Sequence, residues 1–156
     1  AAVVRLEVRT TLLNRQAAAA VDAWVDLLTS EQWDAAIERL SGRGKGTLQP
    51  PSSPAEAPPP LAEVQAFMKE ELANTPLVER LAQLEPPLEI HPLKPLRPPI
   101  FLGRTVTLQN LYEVRSSATE AGALRMTVQL TRSPAFEADG LSLRIDDWAV
   151  EPIDDP

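Results

Sequence analysis

LSLRIDDWAVEPI, residues 141–153, decides how the second half of the chain folds. Leu141, Leu143 and Ile145 alternate with polar residues, as in a strand with one buried face. The apolar set then changes parity, because Trp148 and Val150 fall on even positions. A strand of period two re-phases its side chains only by carrying an extra residue, so a β-bulge is expected at Asp146–Asp147. The acid pair has a second reading, as a catalytic carboxylate site. The bulge reading is favoured, and it leaves Asp146 and Asp147 exposed or hydrogen-bonded to backbone.

Two further strands precede this one. In residues 100–115, Ile100, Leu102, Val106, Leu108, Tyr112 and Val114 occupy even positions. Leu124, Met126, Val128 and Leu130 do the same in residues 123–132. SSATEAG between them supplies turn residues, and FEADG before the last strand ends in the hairpin signal Asp-Gly. Three consecutive strands of this kind make an antiparallel meander with one buried face. Residues 86–99, PPLEIHPLKPLRPP, carry six prolines. Proline lacks the N–H that a ladder needs, so this segment is extended and fits only an edge strand or a wrapping segment.

The first half reads as helix. Residues 1–13 carry both a strand-like alternation and an uninterrupted run into helix, and are read as helix. Ala17, Ala20, Val21, Trp24, Val25 and Leu28 line one face. Thr29 with Gln32 forms a capping box for a second helix bearing Trp33, Ala36, Ile37 and Leu40, with Gly42 as its stop. Residues 14–41 are therefore two helices with a tight corner. Residues 42–60, with six prolines and three glycines, read as a loop without regular structure. GRGKGT within it departs from the phosphate-binding loop, which needs GxxxxGK[ST] between a strand and a helix. A helical stripe of Leu61, Val64, Phe67, Met68 and Leu72 follows. Thr75 and Pro76 then cap and start a short helix bearing Leu77, Val78, Leu81 and Leu84. The fold class is α+β: N-terminal helices packed on a curved antiparallel sheet, in a single domain spanning 1–156.

Composition narrows the function. The chain has 156 residues, 44% of them hydrophobic, which is enough for a sizeable core. A net charge of −7 argues against nucleic acid as a partner, because that binding rests on neutralising phosphates. Charge is uneven: residues 92–132 sum to +4 and residues 133–156 to −6, which suits neighbouring strands. The absence of cysteine removes disulfides, thiol nucleophiles and thiolate metal sites. No apolar run reaches the roughly 18 residues that span a membrane. The start AAVVRLEV, without Met, reads as a processed or excised piece. An exported domain, or one tethered by a membrane segment outside the chain, is the expectation.

GLSLRIDDWAVEPI resembles the closing strand of the cone-shaped α+β domains of the nuclear-transport-factor-2-like, or ketosteroid-isomerase-like, superfamily. A long helix, a tight corner and EQWDAAIERLSG, with Trp33 opening a short helix, are similar too. The resemblance covers residues 14–42 and 100–153, while the proline-rich segments 42–60 and 86–99 depart from the compact pattern. It implies a highly curved sheet wrapped around helices, with a pocket at the wide end. The superfamily holds isomerases, cyclases, dehydratases and many non-catalytic domains for binding or assembly, so the fold implies no single function.

An enzyme of this type needs a general base in an apolar pocket and a donor that stabilises an oxyanion. Candidates are few. His91, the only histidine, precedes a proline and reads as a surface residue. Tyr112, the only tyrosine, sits on an apolar stripe and reads as a buried phenol with a satisfied hydroxyl. Asp22 and Asp26 lie one turn apart on a solvated face, and Asp34 occupies a helix first turn that favours acids. No triad and no zinc set emerges, and no cofactor is expected. The inward stripes are nearly pure Ile, Leu, Val and Met, with Arg104 and Asn110 as exceptions. The expectation is a non-catalytic domain that binds a protein partner or assembles with itself through the outer sheet face or the proline-rich segments. The alternative is a small hydrophobic ligand, or an isomerase- or cyclase-type reaction, in a pocket near Trp24, Tyr112, Asp147 and Trp148.

Overall fold

The computed structural model describes residues 2–49, 57, 59–119, 122–133 and 143–152. Helix α1 (Ala2–Thr29) is followed by α2 (Trp33–Glu38), α3 (Gly42–Leu48), α4 (Leu61–Ala73) and α5 (Pro76–Ala82). Strands β1 (Leu88–Pro95), β2 (Ile100–Leu102), β3 (Thr105–Ser116), β4 (Ala123–Arg132) and β5 (Leu143–Pro152) come after them. The strands form one curved, unclosed antiparallel sheet in the order β1-β3-β4-β5, with β2 paired to β3 in line with β1. Helices first and sheet second, as expected, is thus the architecture.

The core lies between α1 and the inner face of the sheet. Leu13, Ala17, Val21, Trp24, Val25 and Leu28 are buried along α1, at spacings of three and four. Val106, Leu108, Tyr112 and Val114 of β3, with Leu124, Met126, Val128 and Leu130 of β4, face them at alternate positions. Residues 1–13 resolve as helix from Ala2 on.

The corner between α1 and α2 differs from the expected capping box. Thr29 ends α1 and donates to the Asp26 carbonyl at 3.1 Å, as Ser30 does at 2.7 Å. The Asp26 carbonyl, which also accepts the Ser30 N–H at 3.0 Å, takes both hydroxyls as a further acceptor at the helix end. Gln32 caps α2 without a side-chain bond, and Glu31 reverses the chain at φ 60. At α5 the expected start is present: the Thr75 hydroxyl accepts from the Val78 N–H at 3.4 Å, and Pro76 opens the helix.

Three other expectations need correction. Residues 42–48 are helix rather than loop, and Gly42 starts α3 instead of ending α2. Three glycines in seven residues disfavour helix by about 1 kcal/mol each relative to alanine. The Ser41 cap, which accepts from the Gly44 N–H at 3.2 Å, offsets about 1 kcal/mol. Burial of Leu48 supplies about 1.5–3 kcal/mol more. Residues 50–56 and 58 of the expected loop lie outside the described residues. The expected single strand over 100–115 is instead a hairpin, turning at Gly103 (φ 62) and Arg104. Even parity continues across that two-residue turn, so periodicity alone does not reveal it. The FEADG turn and Leu141 lie outside the described residues.

The bulge in β5 is present. Gln129 faces Asp147 and Leu130 faces Ile145, leaving Asp146 as the inserted residue. The 86–99 segment supplies an edge strand, β1, as its prolines require. On the opposite edge, β5 holds the chain between α2 and α3: the Ile145 N–H donates to Arg39 O and the Ser41 N–H to Ile145 O, both at 2.9 Å. Helix α3 sits so close to that edge that a Cβ on Gly44 would meet Ile145 O at 2.5 Å, whereas one on Gly46 meets nothing within 4 Å. Gly44→Ala is therefore expected to lower stability by about 1–3 kcal/mol, and Gly46→Ala to leave it unchanged or raise it by up to about 1 kcal/mol. Urea unfolding of the two variants measures both.

Candidate functional site

The four residues of the expected pocket separate into two environments. Trp24 is fully buried, and its indole N–H donates to Ala36 O at 3.2 Å. Its ring lies 5.2 Å from that of Trp148, tilted by 58°, a favourable edge-to-face approach. The bulge makes this contact: with the parity of Leu143 and Ile145 continued, Trp148 would point outward. Trp148 itself is half-buried. Tyr112 is fully buried in the same core. Its hydroxyl accepts from Asn110 Nδ2 at 3.3 Å, and the same amide donates to Asn14 Oδ1 at 3.2 Å. Burial pushes the Tyr112 phenol above its ordinary value of 10.0, opposed in part by the Asn110 bond. Asp147 stands apart. It is exposed, and its Oδ1 accepts from the Trp148 N–H at 2.9 Å.

The partner of Asp147 in the acid pair is the structured one. Asp146 is only 5% exposed on the outer side of the bulge. It accepts from the Thr131 hydroxyl and from Gln129 Nε2, the latter at 3.4 Å. Sequence reasoning treated the two acids alike. The signal that separates them is the polar set at odd positions of β4, Gln129 and Thr131, which can only bond the residue bulged toward them.

The remaining candidates are peripheral. His91 is exposed, with Nε2 3.2 Å from Glu89 Oε2. Asp22 and Asp26 are exposed, and Asp34 pairs with Lys69 at 3.0 Å on the surface, where such pairs contribute about 0–1 kcal/mol. Arg104 occupies the exposed hairpin turn, whereas Asn110 is 5% exposed inside the core. Asn110 Oδ1 and Gln16 Oε1 are buried without a hydrogen-bond partner among the described residues. No cluster of three His, Asp or Glu among the described residues is placed to hold a metal.

Surface depressions lined by described residues lie elsewhere. One, of about 840 Å³, opens on the outer sheet face over Glu89, His91, Glu113, Arg115, Ser117 and Thr119. Its floor is polar: Glu89 faces Arg115 across the β1–β3 ladder, and His91 faces Glu113. The row continues with Arg125 opposite Glu113 and Glu151 opposite Arg125. Arg115 Nη2 approaches Glu113 Oε1 to 2.6 Å and covers it. The second depression, of about 410 Å³, is a groove over Leu28, Trp33, Val78, Leu81, Leu84 and Leu88 where α1 ends against α5 and β1.

Comparison with protein-family models, with curated proteins and with solved structures finds no match to this chain.

Removing the Asp146 carboxylate strands two donors, whereas Asp147 supports only its neighbour's amide. Asp146→Ala is expected to cost about 1–3 kcal/mol and Asp147→Ala less than about 0.5 kcal/mol. Denaturant unfolding of the two variants measures this order, and the reverse order contradicts the placement of Asp146 at the bulge.

Proposed function

We propose that this chain is a non-catalytic binding and assembly domain of cone-like, nuclear-transport-factor-2-like type, which receives a protein partner or a second copy on its outer sheet face. The observation that carries the reading is the filled inner face. Trp24 and Tyr112 have no solvent exposure, and Val114, Met126, Val128 and Leu130 pack the space between them and the helices. A solvent-borne substrate has no route to the phenol of Tyr112. The outer face has the opposite character. Glu113, Arg125 and Glu151 alternate in charge across β3, β4 and β5, and the depression beside them opens over Glu89 and Arg115, a pattern that fixes orientation and register more than affinity. Strand β1, with its prolines, forms the rim and is held rigid at low entropic cost.

The apolar groove over Leu28, Trp33, Val78, Leu81, Leu84 and Leu88 favours a second reading, the capture of a small hydrophobic ligand. It shifts the ligand site away from Trp24 and Tyr112 to the helix ends.

One experiment separates the two. The chain has no cysteine, so Ser117→Cys on the outer rim carries a photo-crosslinker selectively. The expected result is a discrete adduct from the purified chain or from extract of its own host. Arg115→Glu abolishes that adduct, and the same probe at Glu79→Cys, exposed on α5, does not give it. Absence of any adduct, together with saturable quenching of Trp33 emission by a long-chain fatty acid, favours the ligand reading instead.

A further inference from the structure

Five of the seven exposed large hydrophobic side chains among the described residues lie along one edge of the sheet, from the level of Tyr112 to the turn at Gly103. Leu93 is 41% exposed, Leu96 42%, Ile100 40%, Phe101 39% and Leu102 73%. They lie on the end of β1, the proline-rich link and β2, all on the edge of β3. Leu12, 53% exposed, lies on α1. The topology brings α1 to the same end. Asn14 bonds Asn110 of β3, which pairs with Pro95. Leu28, at the far end of α1, shares the apolar groove with Leu88, the register partner of Ser116. Helix α1 therefore runs beside β3 in the same direction. Its first twelve residues rise about 18 Å beyond Asn14, and β3 covers about 17 Å from Asn110 to Thr105. The first turns of α1 and the β2–β3 hairpin thus reach a common level.

This end is also basic in an acidic chain. No Asp or Glu occurs between Glu89 and Glu113, while the stretch carries Lys94, Arg97 and Arg104 against a net charge of −7 overall. Arg97 is half-buried and donates to Gln129 Oε1 at 3.4 Å, so it is committed to the sheet. Lys94 and Arg104 are exposed among the apolar side chains.

We propose that the β2–β3 hairpin end docks on an anionic lipid bilayer, with Phe101 and Leu102 entering the interface and Lys94 and Arg104 meeting the headgroups. Three features select lipid over a protein. Pro92, Pro95, Pro98 and Pro99 remove the N–H groups that another strand would need, which blocks strand addition along this edge. Strand β2 has only three residues. A stable protein interface draws on roughly 20–30 residues a side, more than a narrow hairpin end supplies. A bilayer asks for no matching shape. It needs apolar side chains reaching the acyl boundary and cations at headgroup level. The proposal is independent of the protein-binding reading, which concerns the other end of β3.

The test is flotation with vesicles of phosphatidylcholine alone and of phosphatidylcholine mixed with phosphatidylglycerol, at low and high salt. The wild-type chain is expected to float with the anionic vesicles, weakly at high salt, and not with the neutral ones. Phe101→Asp/Leu102→Asp and Lys94→Glu/Arg104→Glu are each expected to weaken binding at least tenfold, with circular dichroism checking that each variant stays folded. Arg80→Glu, exposed on α5 toward the opposite end, keeps wild-type binding. Absence of flotation, or equal flotation of all variants, overturns the proposal. So does light scattering that shows a dimer dissolved by Phe101→Asp/Leu102→Asp, which assigns the hydrophobic end to a second copy.

Discussion

The two backbone hydrogen bonds of Ile145 to Arg39 and Ser41, made on the edge of β5 that faces away from β4, tie the helical half of the chain to the sheet. Ile145 also stands opposite Leu130 in the β4–β5 ladder, so the strand that carries it is bound along both edges. The chain between α2 and α3 is thereby fixed to a strand. Ser41 is placed to cap α3, and Gly44 is forced against the Ile145 carbonyl. One residue later Asp146 is inserted, the side chains re-phase, and Trp148 turns inward onto Trp24. A strand that kept its parity would hold the α2–α3 connection or bury Trp148, but not both. The inserted acid stays in place because Thr131 and Gln129 hydrogen-bond its side chain, as a buried polar group requires.

The strands of the second half were legible because burial of one face imposes a period of two. Leu124, Met126, Val128 and Leu130 are buried as that pattern predicts, and the parity change marked the bulge. The Thr75-Pro76 helix start was legible because its cap acts within four residues. What was not legible depends on partners distant in sequence or on local alternatives that the apolar pattern does not separate. The glycines of GRGKGTL disfavour helix locally, and the surface against which α3 packs comes from α4 and from the strand 100 residues later. Gly103 turns the chain without changing parity, so the even run from Ile100 to Val114 looked continuous. Thr29 had two backbone claimants, and the carbonyls behind it prevailed. At the candidate site, the inward turn of Trp148 followed from the parity argument, and its ring contact with Trp24 emerged only with the fold. The split between Asp146 and Asp147 did not, because it depends on which acid faces the outer side of β4.

The sheet divides the chemistry of the molecule. Its inner face is packed with aliphatic side chains around Trp24 and Tyr112, and its polar exceptions, Asn110 and Asn14, bond each other. Its outer face carries charges that alternate across neighbouring strands from β1 to β5. The basic and acidic stretches of the sequence meet there, Arg125 opposite Glu151, which offsets part of the charge asymmetry of the chain. Along β3 the two ends differ again: a polar depression surrounds Ser116, and exposed apolar side chains flank the turn at Gly103. A domain with a closed interior and two chemically distinct outer ends is suited to joining surfaces, and that property underlies both proposed roles.

The most direct test of the account is amide hydrogen exchange at single-residue resolution by NMR. If Ile145 joins the helices to the sheet, the amides of Ile145 and Ser41 exchange as slowly as the central β3–β4 amides of Leu108 and Val128, through global unfolding. Exchange of Ile145 and Ser41 at the rate of exposed turn amides such as Arg104 would contradict it, because the connection between α2 and α3 would then open without the sheet.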